Sequence, residues 1–377
     1  MKSDRRNILY IHMAALGDGL MASPGLALLK QRLPDRRLVV VAREHVAAYF
    51  KRLELVDQVE VFGSNRYLVR SKPWLALGVI PDALRLLGRL RGGEYEAGLQ
   101  WRGQFPDTVM NIATGAKHRL AARQFIHRRP WCPVENIPGT GIEMVDASRP
   151  NIHMVEAMAA PCLRLIEKVT GQKVDPQAVD WRLRFPIRPQ EREGAEKFMC
   201  EEGLEMGRFA IVSISSKTVW NQWPDERFAE VVQHLQERCG LRVVIDALPA
   251  HRTREDFIVS RLKTPPVRAA GRLGLGEIAH VIAQARLVVC YNSAPMHFCA
   301  VSGTPVVVIG GRDGVDIAPW SVPSRVVSGN EYYPKRHPDQ ARWPELVNRV
   351  QAAAVMEATD LLLDETSRHA GAHNSGF

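Results

Sequence analysis

The chain has 377 residues, 46% apolar and 24% charged, with a formal net charge of +9. That length accommodates two domains of ordinary size, and the apolar share excludes a disordered chain. No apolar run approaches the ~18 residues of a membrane span, and the run at 8–11 is too short for a signal peptide's core, so neither is expected.

In chain order, Ile8, Leu9, Tyr10 and Ile11 read as a buried parallel strand. Residues 13–19 are small and Gly-containing, as a strand-to-helix turn would be, and 20–33 follow a helical period that Pro34 and Asp35 stop. Strands are predicted at 38–41 and 56–62, and again at 95–101, with a short helix at 105–113. Between them, 74–90 carries leucines beside Arg85, Arg89 and Arg91. It reads either as a core-facing helix or as an amphipathic helix on a membrane surface, shortened or restarted at Pro81. The stretch 175–190 is irregular and rich in Pro and Arg, and is expected to link two domains. The rhythm then restarts. Strands are predicted at 209–214, 241–245, 287–290 and 305–309, and helices at 225–239, 277–285, 296–301 and 346–363. Strand and helix alternating in this way imply right-handed βαβ units and parallel sheets. The expected layout is one Rossmann-like domain over 1–185 and a second over 190–342. A C-terminal helix over 343–365 and a disordered tail over 366–377 follow.

The cysteines are Cys132, Cys162, Cys200, Cys239, Cys290 and Cys299, with no C-x-x-C pair. They read as reduced, mostly buried thiols of a cytoplasmic protein, and neither a disulfide framework nor a zinc site is expected. The positive charge suits nucleic acid, an anionic membrane or an acidic substrate, or is simply a basic solvated surface. No zinc-finger, RRM or KH signature occurs, so nucleic acid is not an expected partner.

Several loops follow predicted strands, where ligands of parallel sheets bind. Leu16-Gly17-Asp18-Gly19 comes directly after the first strand. Its glycines let the turn bend tightly, and Asp18 reads either as a helix N-cap or as a carboxylate that takes a proton from a hydroxyl. The full G-x-G-x-x-G dinucleotide fingerprint is absent, against a dehydrogenase. Tyr291-Asn292-Ser293-Ala294-Pro295-Met296-His297 lies between a strand and a helix. Its caps and first-turn proline fit a diphosphate on a helix N-terminus, or a plain cap with a surface histidine. Ser215, Ser216, Lys217 and Thr218 follow the strand at 209–214 and suit a phosphate leaving group, or form a polar loop. Lys117, His118, Arg119, Arg123, His127, Arg128 and Arg129 form a basic cluster, suited to an acidic acceptor or to solvent. No D-x-D triplet occurs, so no metal clamp on a diphosphate is expected.

Taken in order, these segments resemble glycosyltransferase family 9, the lipopolysaccharide heptosyltransferases of the GT-B fold. The matching residues begin with Ala14-Ala15-Leu16-Gly17-Asp18, Ser23-Pro24 and Leu99-Gln100, followed by Gly115-Ala116-Lys117. Further on come Trp223-Pro224, Arg227-Phe228-Ala229, Ser293-Ala294-Pro295-Met296-His297 and Gly303-Thr304-Pro305. The resemblance implies an α/β, GT-B fold with two Rossmann-like parallel-sheet domains facing a central cleft. It implies an inverting, metal-independent transfer without a cofactor, with Asp18 as base. Ser215, Ser216, Lys217, Asn292, Ser293, Ala294 and His297 would hold the nucleotide-sugar donor, ADP-heptose in the family. Gly17, His12, Gln100, Lys117, Arg119 and Arg123 would meet an anionic, lipid-linked saccharide acceptor at the inner membrane face.

The chain departs from the family pattern at named positions. Asn292 stands where the family usually has Asp, Ala294 where it has Gly, and His12 where it often has Arg. Asp246-Ala247 replaces a glycine pair near the nucleoside. A transferase or epimerase using another nucleotide sugar, or a silent nucleotide-binding relative, is therefore the alternative.

Overall fold

The computed structural model describes residues 6–63, 80–101, 105–122, 140–147, 152–216, 222–310, 317–329 and 347–374. Residues 74–79 of the apolar stretch, Arg123, His127, Arg128, Arg129 and Lys217 lie outside the described residues. The chain divides into two compact units, Met1–Pro186 and Ile187–Phe377.

The first unit runs β1 (Asn7–His12), α1 (Leu16–Arg32), β2 (Arg37–Arg43), α2 (Glu44–Phe50), β3 (Gln58–Phe62) and α3 (Ile80–Arg91). It continues with β4 (Tyr95–Gln100), α4 (Phe105–Ala113), β5 (His118–Ala122), β6 (Ile142–Val145) and α5 (Met154–Thr170). Its six strands lie in the order β3-β2-β1-β4-β5-β6, all parallel. β1 and β2 are buried along nearly their whole length, which is why they read as continuous apolar runs. On α3, Leu86 and Leu90 enter the core with Leu9, Val39 and Tyr95. The core-facing reading of that helix therefore holds for its described part.

α1 carries Pro24 in its interior, which removes the N–H that would reach the Leu20 carbonyl. The Ser23 hydroxyl donates to that carbonyl instead, at 2.7 Å, and accepts from Arg184 N at 2.9 Å. One turn of α1 thus holds the chain as it leaves the unit. Next to it, a Cβ on Gly25 would lie 2.9 Å from the Ala159 backbone of α5. Gly25→Val is expected to cost about 1–3 kcal/mol by forcing the two helices apart. A urea midpoint unchanged from wild type would contradict that close approach.

The second unit runs α6 (Pro189–Glu201), β7 (Phe209–Ser213), α7 (Asp225–Glu237), β8 (Arg242–Asp246), α8 (Arg252–Ser260) and β9 (Val267–Arg268). It continues with α9 (Leu275–Gln284), β10 (Leu287–Tyr291), α10 (Ala294–Ser302), β11 (Val306–Ile309), β12 (Ser324–Val327) and α11 (Ala352–Asn374). The strand order β12-β11-β10-β7-β8-β9 is again parallel and repeats the topology of the first unit. The order reverses between β1 and β4 in one unit and between β7 and β10 in the other. These switch points are where open parallel sheets bind ligands.

The C-terminal helix differs from expectation at both ends. It starts at Ala352 because the Val350 carbonyl is taken sideways, by Trp223 Nε1 at 2.8 Å and Arg227 Nη1 at 2.7 Å. It runs past residue 366, where a tail was expected, to Asn374. Arg286 clasps its last part, reaching the Leu363 carbonyl at 3.1 Å and Ser367 Oγ at 2.6 Å.

Candidate active site

In the first unit, the turn after β1 sits at the switch point. α1 begins at Leu16, earlier than the sequence period suggests, so Asp18 lies within its first turn. Ala15 is the N-cap residue, and Asp18 Oδ2 accepts from Ala15 N at 3.0 Å. Asp18 is therefore a half-buried carboxylate that caps the helix from inside, not the N-cap itself. A carboxylate in a first turn also sits favourably in the helix field. Gly17 is half-buried beside it. A Cβ on Gly19 would lie 3.2 Å from the Tyr49 ring, so a side chain there would press on that ring.

His12, at the end of β1, is 0% exposed. Its Nε2 lies 3.2 Å from the Ala15 carbonyl, where a donated proton would fix the residue whose N–H holds Asp18. Trp101 stacks on it at 6.4 Å between centroids, Tyr10 at 6.2 Å, and Phe50 meets its edge at 5.0 Å. Gln100 is likewise 0% exposed. It donates to Thr108 Oγ1 at 3.1 Å and accepts from Asn111 Nδ2 at 3.0 Å. His12 and Gln100, the expected acceptor residues, are thus both buried inside the unit, with the Gln100 amide bonded on both sides. Tyr10 is missing from the sequence reading as a support. Its hydroxyl is buried without a hydrogen bond, and burial raises its pKa well above the usual phenol range, with Cys162 and Asp18 adding to the effect.

The described members of the basic cluster, Lys117, His118 and Arg119, are not brought to this turn. Ile8 is paired with Ala97 and Ala97 with His118, so His118 is level with the start of β1. At ~3.3 Å per residue, Lys117 and Arg119 lie on the order of 10 Å or more short of His12 along the strands. Lys117 is exposed there, and Arg119 is laid over the Gly141 backbone, where a Cβ would fall 2.4 Å from Nη2. Burial and the neighbouring Lys117 lower the pKa of His118, which favours its neutral form.

In the second unit, the segments after β7 and β10 meet at its switch point, since Val289 pairs with Val212. Ser213 donates to Asp246 Oδ2 at 2.7 Å. Burial raises the Asp246 carboxyl above its ordinary value, while the Ser213 bond opposes that. Ser215 Oγ accepts from Leu248 N at 2.7 Å and lies 2.9 Å from His251 Nδ1, so it ties the segment after β7 to the one after β8. Ser216 is buried beside it.

After β10, Asn292, Ser293 and Ala294 are half-buried. Ser293 is the N-cap of α10 by backbone conformation but makes no side-chain cap bond, and Pro295 occupies the first turn. Backbone N–H groups and the positive end of a nine-residue helix therefore face the segment after the strand. His297 lies one turn in and is 7% exposed, so it is a buried residue of the helix start and not a surface histidine.

A polar framework that no sequence signal marks braces this end of the sheet. Tyr291 Oη accepts from Trp223 N at 2.6 Å. Arg254 donates to Asp225 Oδ1 at 2.7 Å, to the Ile214 carbonyl at 3.0 Å and to the Trp223 carbonyl at 2.8 Å. Burial alone would lower the Arg254 pKa; Asp225 and Tyr291 together more than offset that. Burial raises the Tyr291 pKa as well. Arg254 thus ties Ile214, directly after Ser213, to Trp223 at the entry to α7. Its sequence context, Arg252-Thr253-Arg254-Glu255, reads as an ordinary charged helix face and could not single it out.

The sequence pattern of glycosyltransferase family 9 (heptosyltransferase) matches residues 83–344, more than half of the chain. The chain is 28% identical to lipopolysaccharide heptosyltransferase 3 of Escherichia coli (strain K12) over 370 residues, covering 93% of this chain and 96% of that protein. Among solved structures, it is similar to a glycosyl transferase family 9 protein from Veillonella parvula DSM 2008. The TM-score is 0.74 at 19% identity, covering 97% of this chain and 99% of the other. It is also similar to E. coli ADP-heptose lps heptosyltransferase II, with a TM-score of 0.69 at 19% identity, over 96% and 99% of the two chains. At these identities the structural likeness speaks for the fold, which is GT-B.

Proposed function

This chain belongs to glycosyltransferase family 9 and is a glycosyltransferase, and on that footing we propose that it moves heptose from ADP-heptose onto an anionic lipopolysaccharide-core acceptor. The observation that carries the reading is the placement of the two chemically suited segments. The Asp18 turn follows β1 and the Ser293 helix start follows β10, each at the switch point of its own sheet.

The proposed reaction is inverting and needs neither metal nor cofactor. The acceptor hydroxyl gives its proton to the Asp18 carboxylate, and its oxygen attacks the anomeric carbon from the face opposite the leaving group. The bond from that carbon to the diphosphate oxygen breaks, and the electron pair leaves with the nucleoside diphosphate. N–H groups at the start of α10, Ser293, His297 and Lys217 receive that charge, a role preorganised dipoles perform without rearrangement. Ser215, Ser216, Asn292 and Ala294 shape the rest of the donor site. Gly17 meets the acceptor, with Lys117, Arg119 and Arg123 supplying positive potential at longer range. His12 and Gln100 act as positioning residues, His12 through the Ala15 peptide and Gln100 through α4. The acceptor is proposed to be met from the cytoplasm at the inner membrane face. No helix among the described residues is long and apolar enough to cross a membrane. Membrane contact would not rest on the apolar stripe of α3, whose Leu86 and Leu90 are buried and whose Leu84 alone is 62% exposed.

Asn292 and Ala294 favour one other reading, a transfer with another nucleotide sugar, because they change groups next to the proposed diphosphate. ADP-, UDP-, GDP- and CMP-linked sugars offered with a crude lipopolysaccharide acceptor separate the two. Release of ADP alone is expected; release of UDP, GDP or CMP instead would move the donor assignment.

A further inference from the structure

α7 ends at Glu237, and the chain turns back over its own carboxyl end before β8 begins at Arg242. In that turn Cys239 N bonds to the His234 carbonyl at 3.3 Å, and Gly240 takes a φ of +64° that suits glycine. The turn brings two side chains of this corner to α11. His234 Nε2 lies 2.8 Å from Asp360 Oδ1, and Cys239 Sγ lies 3.5 Å from the same oxygen. One donor atom from each of the three residues lies within 4.8 Å of the others.

We propose that His234, Cys239 and Asp360 form a binding site for a borderline-soft divalent cation of the zinc class, which clasps α11 to α7. An imidazole nitrogen, a thiolate and a carboxylate oxygen are the donors such a cation takes. Tetrahedral bonds of about 2.0–2.3 Å place ligand atoms roughly 3.3–3.6 Å apart; the sulfur–oxygen pair is at that spacing, and the imidazole, now 2.8 Å from the carboxylate, would move outward by about half an ångström to admit the ion. Water fills the fourth position. The site lies at the negative end of a helix, which favours a cation. Glu357 and Asp364, both exposed, stand at i−3 and i+4 from Asp360, on the same face of α11, and add negative potential. Exposed Arg238 is the opposing charge in the turn. Binding replaces the thiol proton with a metal–sulfur bond and releases that proton to solvent, with no change of oxidation state.

The site is separate from the transfer chemistry. α7 runs back from the carboxyl end of β7, so its own carboxyl end lies at the opposite edge of the sheet from Ser215 and Ser216. The cysteine spacing could not reveal it, because Asp360 stands 126 and 121 residues from its partners.

The test uses the full chain, stripped with a chelator and titrated with Co²⁺ as a spectroscopic probe. One equivalent is expected to raise a near-ultraviolet thiolate band and visible tetrahedral bands, both abolished by Zn²⁺. Cys239→Ser should lose the near-ultraviolet band. Asp360→Asn and His234→Gln, closer in shape and checked for folding by circular dichroism, should each weaken Co²⁺ binding about tenfold or more. No thiolate band in the wild type, or the same band in Cys239→Ser, would overturn the site. Neither result depends on the donor or acceptor of the transferase reaction.

Discussion

Replacing Asp18 with asparagine is expected to lower kcat by about 10²–10⁴ while leaving the fold intact. The two roles of this residue can be separated because they use different properties. Its cap needs only an oxygen that accepts from Ala15 N, and an asparagine Oδ1 supplies one at the same place. Proton transfer needs a carboxylate, which asparagine lacks. The lost charge at the start of α1 costs about 0.3–1 kcal/mol, too little to unfold a domain. Asp18→Ala would remove both roles at once and is the poorer test. The measurement is kcat at saturating donor beside the urea midpoint of the same preparation. A variant with wild-type kcat and a lowered midpoint would leave Asp18 as a helix cap alone.

Trp223→Ala is expected to destabilise the second unit by about 3–5 kcal/mol, as the loss of a large buried aromatic does. Trp223 is 1% exposed and is the largest wholly buried side chain described. Its ring meets Phe228 edge-on at 4.9 Å, and its Nε1 donates to the Val350 carbonyl. Arg227 also reaches that carbonyl, so the cost comes from the cavity and not from an orphaned acceptor. The function should follow the packing. Arg254 holds the carbonyls of Ile214 and Trp223, which stand on either side of Lys217 in the sequence. In a background stable enough to assay, donor KM should rise more than kcat falls. An unchanged denaturation midpoint would contradict the packing; a fall in kcat with donor KM unchanged would contradict the link to the donor.

Much of this architecture could be read from the sequence because parallel strands announce themselves. Buried on both faces, β1, β2, β7 and β10 are near-continuous apolar runs, and the turns after them carry the residues that matter. What escaped has specific causes. α1 starts early because its first turn is built from Leu16-Gly17-Asp18-Gly19, glycine-rich residues that read as a loop, and the Asp18 carboxylate supplies the cap from within the helix. α5 is capped by a histidine, His153, whose Nδ1 accepts from Val155 N at 3.1 Å, a residue that sequence rules do not favour there. β9 and β12 are short edge strands of two and four residues with little apolar content. For the site, types of residue were legible and directions were not. His12 and Gln100 stand beside the turn as expected, yet both point inward. Lys117 and Arg119 belong to the right unit but to the other end of its strands, a distinction that only register can make.

Heptose transfer is read from the mass of the acceptor. Purified protein would be incubated with ADP-heptose and a lipopolysaccharide core lacking its terminal heptose, and both products followed by mass spectrometry. The acceptor is expected to gain one heptose for each ADP released, and to gain none with Asp18→Asn on the same time scale. ADP released while the acceptor mass stays fixed, or no turnover of ADP-heptose at all, would contradict it.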